Sequence, residues 1–136
     1  MNKFDPKIYC DAAISFALQF GKQYSYQPKD IEEMDDLLEM IHEHYQNKEI
    51  SEQTVGKIAA SQGIYLGQVM LDTKLSECGF AWSMDENGPC LAKNDNNKMY
   101  PVAKAWKRIV NGREDSVKSF FDIGIMIAEG RFPKNK

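Results

Sequence analysis

The sequence predicts an α+β fold in which about five helices pack around a small antiparallel sheet of two or three strands. Two patterns indicate this class. Apolar residues recur at spacings of three and four along most of the chain, whereas residues 79–84 alternate large and small side chains and two turns follow, at 85–88 and 94–97. The chain has 136 residues, of which 43% are hydrophobic. We therefore predict a single domain, residues 1–136, with a frayed tail from about residue 131.

Three helices are predicted in the first half of the chain. The first covers about residues 6–22, because Pro6 suits an opening turn and apolar residues follow at helical spacing. The second covers residues 30–52, and Asp30 is expected to cap it. The third begins near Ser51 and ends at about Leu71.

A row of small residues runs along the third helix: Gly56, Ala60, Gly63 and Gly67. Glycine inside a helix costs about 1 kcal/mol relative to alanine, so this row requires a compensating contact. We predict the close approach of another helix or strand. The alternative is a homodimer that forms through the same row.

The second half of the chain is expected to contain the sheet and two further helices. Strands are predicted at residues 79–84, 89–93 and 98–100, with turns at 85–88 and 94–97. Pro101 begins a helix that ends at Gly112, and a last helix runs from Asp115 or Ser116 to about residue 130. Trp82 and Trp106 are expected to anchor the contact between sheet and helices.

The second helix carries the strongest functional signal. Nine of residues 30–52 are acidic and one, Lys48, is basic, while an apolar stripe persists through the same segment. One face can therefore pack on the core while the other projects negative potential, which repels phosphate backbones and attracts basic partners. The residues expected to contact such a partner are Glu32, Glu33, Asp36, Glu39, Glu43 and Tyr45.

Charge is distributed unevenly although the net charge is only −3. Residues 1–97 hold 16 acids and 8 bases, and residues 98–136 hold 4 acids and 9 bases. A basic cluster is formed by Lys104, Lys107, Arg108, Arg113 and Lys118. Since the first three lie opposite the apolar stripe of their helix, a solvated face is expected. An intramolecular match to the acidic helix is an alternative, and the overall negative charge argues against nucleic-acid binding.

No catalytic, metal or cofactor site is predicted. The chain lacks a Walker loop and the GxGxxG, GxSxG and HExxH motifs. Glu39 and His42 form one E-x-x-H quartet, where a two-metal bundle would use two such quartets. His42 and His44 point apart on a helix, so both are expected to be solvated. The cysteines form no CxxC pair and are expected to be reduced: Cys10, Cys78 and Cys90.

The N-terminal residues lack the features of a secretory signal, and no apolar run approaches the roughly 20 residues that span a bilayer. We therefore expect a cytoplasmic protein without membrane contact.

One set of residues also suggests a relationship to a known protein family. The set comprises Gly63-Ile64-Tyr65-Leu66-Gly67, Phe80-Ala81-Trp82, Tyr100-Pro101, Lys104, Lys107-Arg108-Ile109, Asn111-Gly112 and Glu114-Asp115-Ser116-Val117. With these residues, about residues 55–125 resemble a bacterial family defined only as a domain of unknown function. That family has no assigned catalytic residues, so the resemblance implies none here. Size and architecture are also similar to those of immunity proteins that neutralise secreted bacterial toxins.

Two classes of function remain. The first is a non-enzymatic protein that binds a protein partner, most concretely an immunity protein whose acidic helix enters the basic channel of a toxin domain. The alternative is a small ligand-binding or enzymatic domain with a pocket between the sheet and the glycine-lined third helix. The residues expected to line that pocket are Tyr65, Trp82, Tyr100 and Trp106.

Overall fold

The computed structural model describes residues 4–131 and confirms the α+β class. The helices are α1 (Pro6–Leu18), α2 (Asp30–Gln46), α3 (Glu52–Met70), α4 (Pro101–Asn111) and α5 (Val117–Ala128). The strands are β1 (Ala81–Asp85), β2 (Gly88–Asn94) and β3 (Asn97–Met99). Except for Arg131, the tail predicted to fray lies outside the described residues.

The first two helices end earlier than the sequence predicts. Helix α1 stops at Leu18, and α2 stops at Gln46 rather than continuing to residue 52. Lys48 adopts a left-handed backbone conformation, with φ of 60°, which an α-helix does not accommodate. Ser51 then caps α3 by accepting a hydrogen bond from the Thr54 amide, and α3 passes into a π-helical turn at Leu71–Leu75.

Two glycines of α3 let neighbouring elements approach closely. A Cβ added at Gly63 would lie 2.5 Å from the Cα of Val102 in α4. A Cβ added at Gly67 would lie 2.5 Å from the Trp82 ring of β1. The predicted close approach is therefore confirmed at these two positions, whereas Gly56 has nothing within 4 Å. Because α4 and Trp82 cover Gly63 and Gly67, these two residues are not available to a second copy of the chain, and the homodimer considered from the sequence stays a prediction.

The sheet is an antiparallel meander in the order β1-β2-β3. Trp82 of β1 pairs with Leu91 of β2, and the Trp82 indole donates a hydrogen bond to Gln68 Oε1 of α3 at 2.9 Å. Trp82 thus anchors the sheet on α3, as expected. The expectation for Trp106 is wrong, since 41% of its surface is exposed. On α4, Ala105, Arg108 and Ile109 face the interior, and this orientation turns Trp106 outward.

The remaining connections fix the orientation of the last two helices. Pro101 occupies the first turn of α4, and Gly112 ends this helix with φ of 95°. Ser116 then caps α5 by accepting a hydrogen bond from the Ser119 amide. Buried side chains from all five helices and from β2 form one apolar cluster. Between residues 4 and 131, no helix has the length and apolar character that a membrane crossing requires.

Candidate functional site

The carboxylates of α2 fall into an inner and an outer group. The inner group points toward the rest of the protein and consists of Asp30, Asp35 and Glu39, all buried or half-buried. The outer group faces solvent and consists of Glu32, Glu33, Asp36 and Glu43. This division decides which charges remain available to a partner.

Arg108 of α4 neutralises most of the inner group. Its side chain is only 1% exposed. Its guanidinium donates from Nε to Asp35 Oδ1 at 3.0 Å and from Nη1 to Glu39 Oε1 at 2.9 Å. Nη2 donates to the backbone carbonyl of Asp35 at 2.9 Å. A solvated position for Arg108 is therefore wrong, and the alternative of an intramolecular match to the acidic helix is confirmed for this residue.

Asp35 also holds the start of α5. Its carboxylate accepts hydrogen bonds from the Ser116 hydroxyl at 2.7 Å, from the Val117 amide at 2.9 Å and from the Lys118 amide at 3.0 Å. Burial by itself would raise the pKa of Asp35, but these bonds, together with Arg108, outweigh it. The pKa of Asp35 consequently lies below its ordinary value of 3.8. Asp35 thus joins three helices through one carboxylate.

The lowered pKa of Asp35 predicts a pH dependence of folding. Because the folded-state pKa is below that of the unfolded chain, the contribution of Asp35 is complete above about pH 4 and is lost as pH falls through the folded-state pKa. Urea unfolding between about pH 6 and about pH 2.5 should show the wild-type free energy of unfolding falling more steeply than that of Asp35→Asn. The exposed neighbour gives the control: Asp36→Asn should retain the wild-type slope, and equal slopes for all three proteins would contradict the prediction.

Asp30 is buried completely and does not cap α2, so that expectation is wrong. Its Oδ2 accepts hydrogen bonds from the Ser25 amide at 2.8 Å and the Gln27 amide at 3.0 Å, and also from the Tyr65 hydroxyl. Burial raises the pKa of Tyr65, which keeps the hydroxyl a donor. Asp30 therefore organises the loop before α2 rather than the helix itself.

The outer group keeps its charge. Glu32, Asp36 and Glu43 form no ion pair with any residue between 4 and 131. Glu33 has a loose contact of 3.7 Å with Lys22. Among the acidic residues proposed for a partner, Glu39 is a poor candidate, because Arg108 holds it.

Tyr45, the remaining candidate, is half-buried near the end of α2. Its hydroxyl donates a long hydrogen bond, 3.4 Å, to Glu52 at the start of α3. It lines a shallow depression with Gln46, Lys48 and Ile50. Tyr45 therefore borders the outer face without extending from it.

The two histidines differ in environment. His42 is half-buried, and its Nδ1 donates to the Ile109 carbonyl at 2.7 Å, while its ring packs against Gly112. The expectation of a solvated His42 is therefore wrong. His44 is exposed, as expected, and contacts Glu49. Over residues 4–131, no group of three or more His, Cys, Asp or Glu side chains is arranged to hold a metal ion, and all three cysteines are free thiols.

Of the four residues predicted to line a pocket between the sheet and α3, two belong to the core instead: Tyr65 is buried in it and Trp82 packs against it. Tyr65 is completely buried, stacks on Tyr24 with ring centroids 4.5 Å apart, and faces the Asp30 loop rather than the sheet. Trp82 lies directly on Gly67. Tyr100 and Trp106, by contrast, line an open cleft that Gly56 and Ala59 of α3 also border, together with Asn87 and Pro89 of the sheet region.

Two adjoining clefts lie at the start of α4. The smaller, of about 350 Å³, is lined by Gly56, Ala59, Asn87, Pro89, Tyr100, Val102, Ala103, Trp106 and Lys107. The larger, of about 630 Å³, is lined by Asn87, Lys98, Met99, Tyr100, Ala103, Lys104, Lys107 and Phe120. We call the larger one the lysine cleft. The basic cluster in the sequence pointed to Lys104 and Lys107 as candidate binding residues. No sequence pattern predicted that Lys98, Met99 or Phe120 would lie beside them.

No protein-family model matches the chain, and no significant match is found among curated proteins or solved structures. The resemblance of residues 55–125 to a bacterial family therefore stays a prediction. Functional inference depends on the two surfaces described above, namely the outer face of α2 and the lysine cleft.

Proposed function

We propose that this protein is a non-enzymatic binding protein that recognises a basic protein partner through the outer face of α2. In its most concrete form it is an immunity protein that neutralises a bacterial toxin in the cytoplasm of the cell that carries it. The observation that carries the proposal is the set of exposed carboxylates at Glu32, Asp36 and Glu43, which no cation between residues 4 and 131 neutralises.

The spacing of these carboxylates supports the proposal. Residues four and seven positions apart lie on one side of a helix, so the three charges follow a single line about 16 Å long. Glu32 and Asp36 repel each other at this spacing by a few tenths of a kcal/mol. A positively charged partner would relieve that repulsion on binding.

The inner group makes the same helix rigid. Arg108 and the start of α5 hold Asp35, and Met34, Leu37, Leu38 and Ile41 are buried in the core. A partner would therefore meet charges that are already in place and would need to order little of the backbone. Nucleases bind phosphate backbones with basic channels, and a preorganised acidic helix complements such a channel in charge and accelerates encounter through electrostatic steering.

Charge reversal tests the proposal. The binding assay uses a basic protein partner that the wild-type protein captures from its native host, purified, and measures association at about 50 mM and about 500 mM salt by stopped-flow fluorescence. The triple variant Glu32→Lys, Asp36→Lys and Glu43→Lys should lower the association rate constant roughly tenfold to a hundredfold at low salt. The difference from wild type should shrink at high salt, because salt screens exposed charges.

A second triple variant controls for net charge. Asp72, Glu86 and Asp95 are exposed and form no ion pair within residues 4–131; they lie in the turn after α3 and in the two turns of the sheet. Changing all three to lysine alters the net charge by the same amount as the first variant. If the partner binds specifically to the outer face of α2, this control should lower the association rate constant less than the α2 variant does. Equal effects, or binding unchanged by the α2 variant, would remove this helix from the interface.

A further inference from the structure

The lysine cleft is a second candidate binding site, on α4 and β3 rather than on α2. We propose that it binds a small organic anion, with the anionic group held by Lys98, Lys104 and Lys107 and an apolar body packed against Met99 and Phe120. This inference is independent of the proposed partner-binding role, since it uses none of the residues of α2.

An aspartate holds each of two of these lysines in position. Lys98 Nζ lies 3.0 Å from Asp85 Oδ2, and Lys104 Nζ lies 2.9 Å from Asp115 Oδ1. All four side chains are largely buried, with between 18% and 25% of each side chain exposed. An ammonium group has three donors, so each lysine keeps donors beyond its aspartate contact. The aspartates therefore orient these lysines without exhausting their hydrogen-bonding capacity.

Lys107 supplies the charge that is not balanced. It lies one helical turn after Ala103 on α4, is exposed, and makes no ion pair with any residue between 4 and 131. The two aspartates offset two of the three lysines that line the cleft, which leaves a net positive charge there. A carboxylate or phosphate group would neutralise it. Asn87 and Tyr100 border the same space, although the Tyr100 hydroxyl donates to Asp85 at 2.7 Å.

The apolar part of the lining selects against a bare inorganic ion. Met99, Ala103 and Phe120 provide the hydrophobic surface of the cleft, and its volume of about 630 Å³ is within the range of small-molecule sites. A compact ion would leave that surface in water. An anion attached to an aromatic or aliphatic body would cover it and gain binding free energy from the burial.

Titration with defined probes tests the inference. Phenyl phosphate, benzoate, inorganic phosphate and neutral benzyl alcohol are added separately to the full-length protein, and amide chemical shifts are followed by NMR. We expect saturable shifts around the cleft with phenyl phosphate or benzoate. Phenyl phosphate should bind about tenfold more tightly than inorganic phosphate, because its ring is buried in the cleft. It should also bind about tenfold more tightly than benzyl alcohol, because the lysines bind its charged group.

Two exposed positions allow variants that leave the core intact. Lys107→Gln should weaken phenyl phosphate binding by about tenfold, and Ala103→Trp should abolish it by filling the cleft. Lys57→Gln, an exposed lysine of α3 outside the cleft, should bind as wild type does. Circular dichroism verifies folding of each variant. The inference is overturned if no organic anion saturates the cleft, if benzyl alcohol binds equally well, or if Lys107→Gln and Lys57→Gln behave alike.

Discussion

Replacing Arg108 with methionine is expected to lower the free energy of unfolding by about 3 kcal/mol. The change leaves Asp35 and Glu39 without the guanidinium that neutralises both, although 15% and 21% of their side chains stay exposed and moderate the loss. Loss of one partner from a buried ion-pair cluster is costly because the remaining charge is desolvated and unpaired. Equilibrium urea unfolding at neutral pH measures the effect.

Two further variants show whether the loss arises from this cluster. Arg108→Lys keeps the charge but cannot reach both carboxylates and the Asp35 carbonyl at once, so it should recover only part of the stability. Lys107→Met alters the adjacent, exposed position and should change the free energy of unfolding by less than about 0.5 kcal/mol. An Arg108→Met protein as stable as Lys107→Met would show that the inner group needs no counter-charge.

Gly63→Ala is expected to destabilise the protein by about 3 kcal/mol. The added Cβ would lie 2.5 Å from the Val102 Cα and 2.9 Å from the Pro101 carbonyl oxygen. These are backbone atoms, which cannot rotate away as a side chain does, so α3 and α4 must separate. The separation would loosen the buried contacts that Ala105 and Ile109 make in the core. The measurement is the change in the urea midpoint at constant m-value.

Replacing another glycine of the same helix is expected to have the opposite effect on stability. Gly56 has nothing within 4 Å of its added Cβ, so Gly56→Ala should stabilise the protein by up to about 1 kcal/mol through helix propensity alone. Gly67→Ala should lie between the two, because part of its clash is with the Trp82 ring, a side chain with freedom to move. If Gly63→Ala and Gly56→Ala changed stability equally, close packing against α4 would not be the reason for glycine at position 63.

The acidic helix illustrates how far sequence reasoning reaches. Its apolar stripe and its excess of carboxylates are local patterns, and a helix forms there, although it ends at Gln46 rather than at residue 52. Which carboxylates stay free is not a local property. Arg108 and Asp35 are 73 residues apart in the sequence, and only the packing of α4 on α2 brings them together. The same contact removes Glu39 from the surface and leaves Glu32, Asp36 and Glu43 on it.

The sequence by itself determined the fold class, the order of helices and strands, and the close approach at Gly63 and Gly67, because each follows from periodicity, turn chemistry or helix propensity over a few neighbouring residues. Only the tertiary structure decided the two candidate surfaces. It buried Tyr65, exposed Trp106, and gathered Lys98, Lys104 and Lys107 around one cleft. Side chains from distant segments acquire their neighbours, and so their charge and accessibility, through the way in which the helices pack.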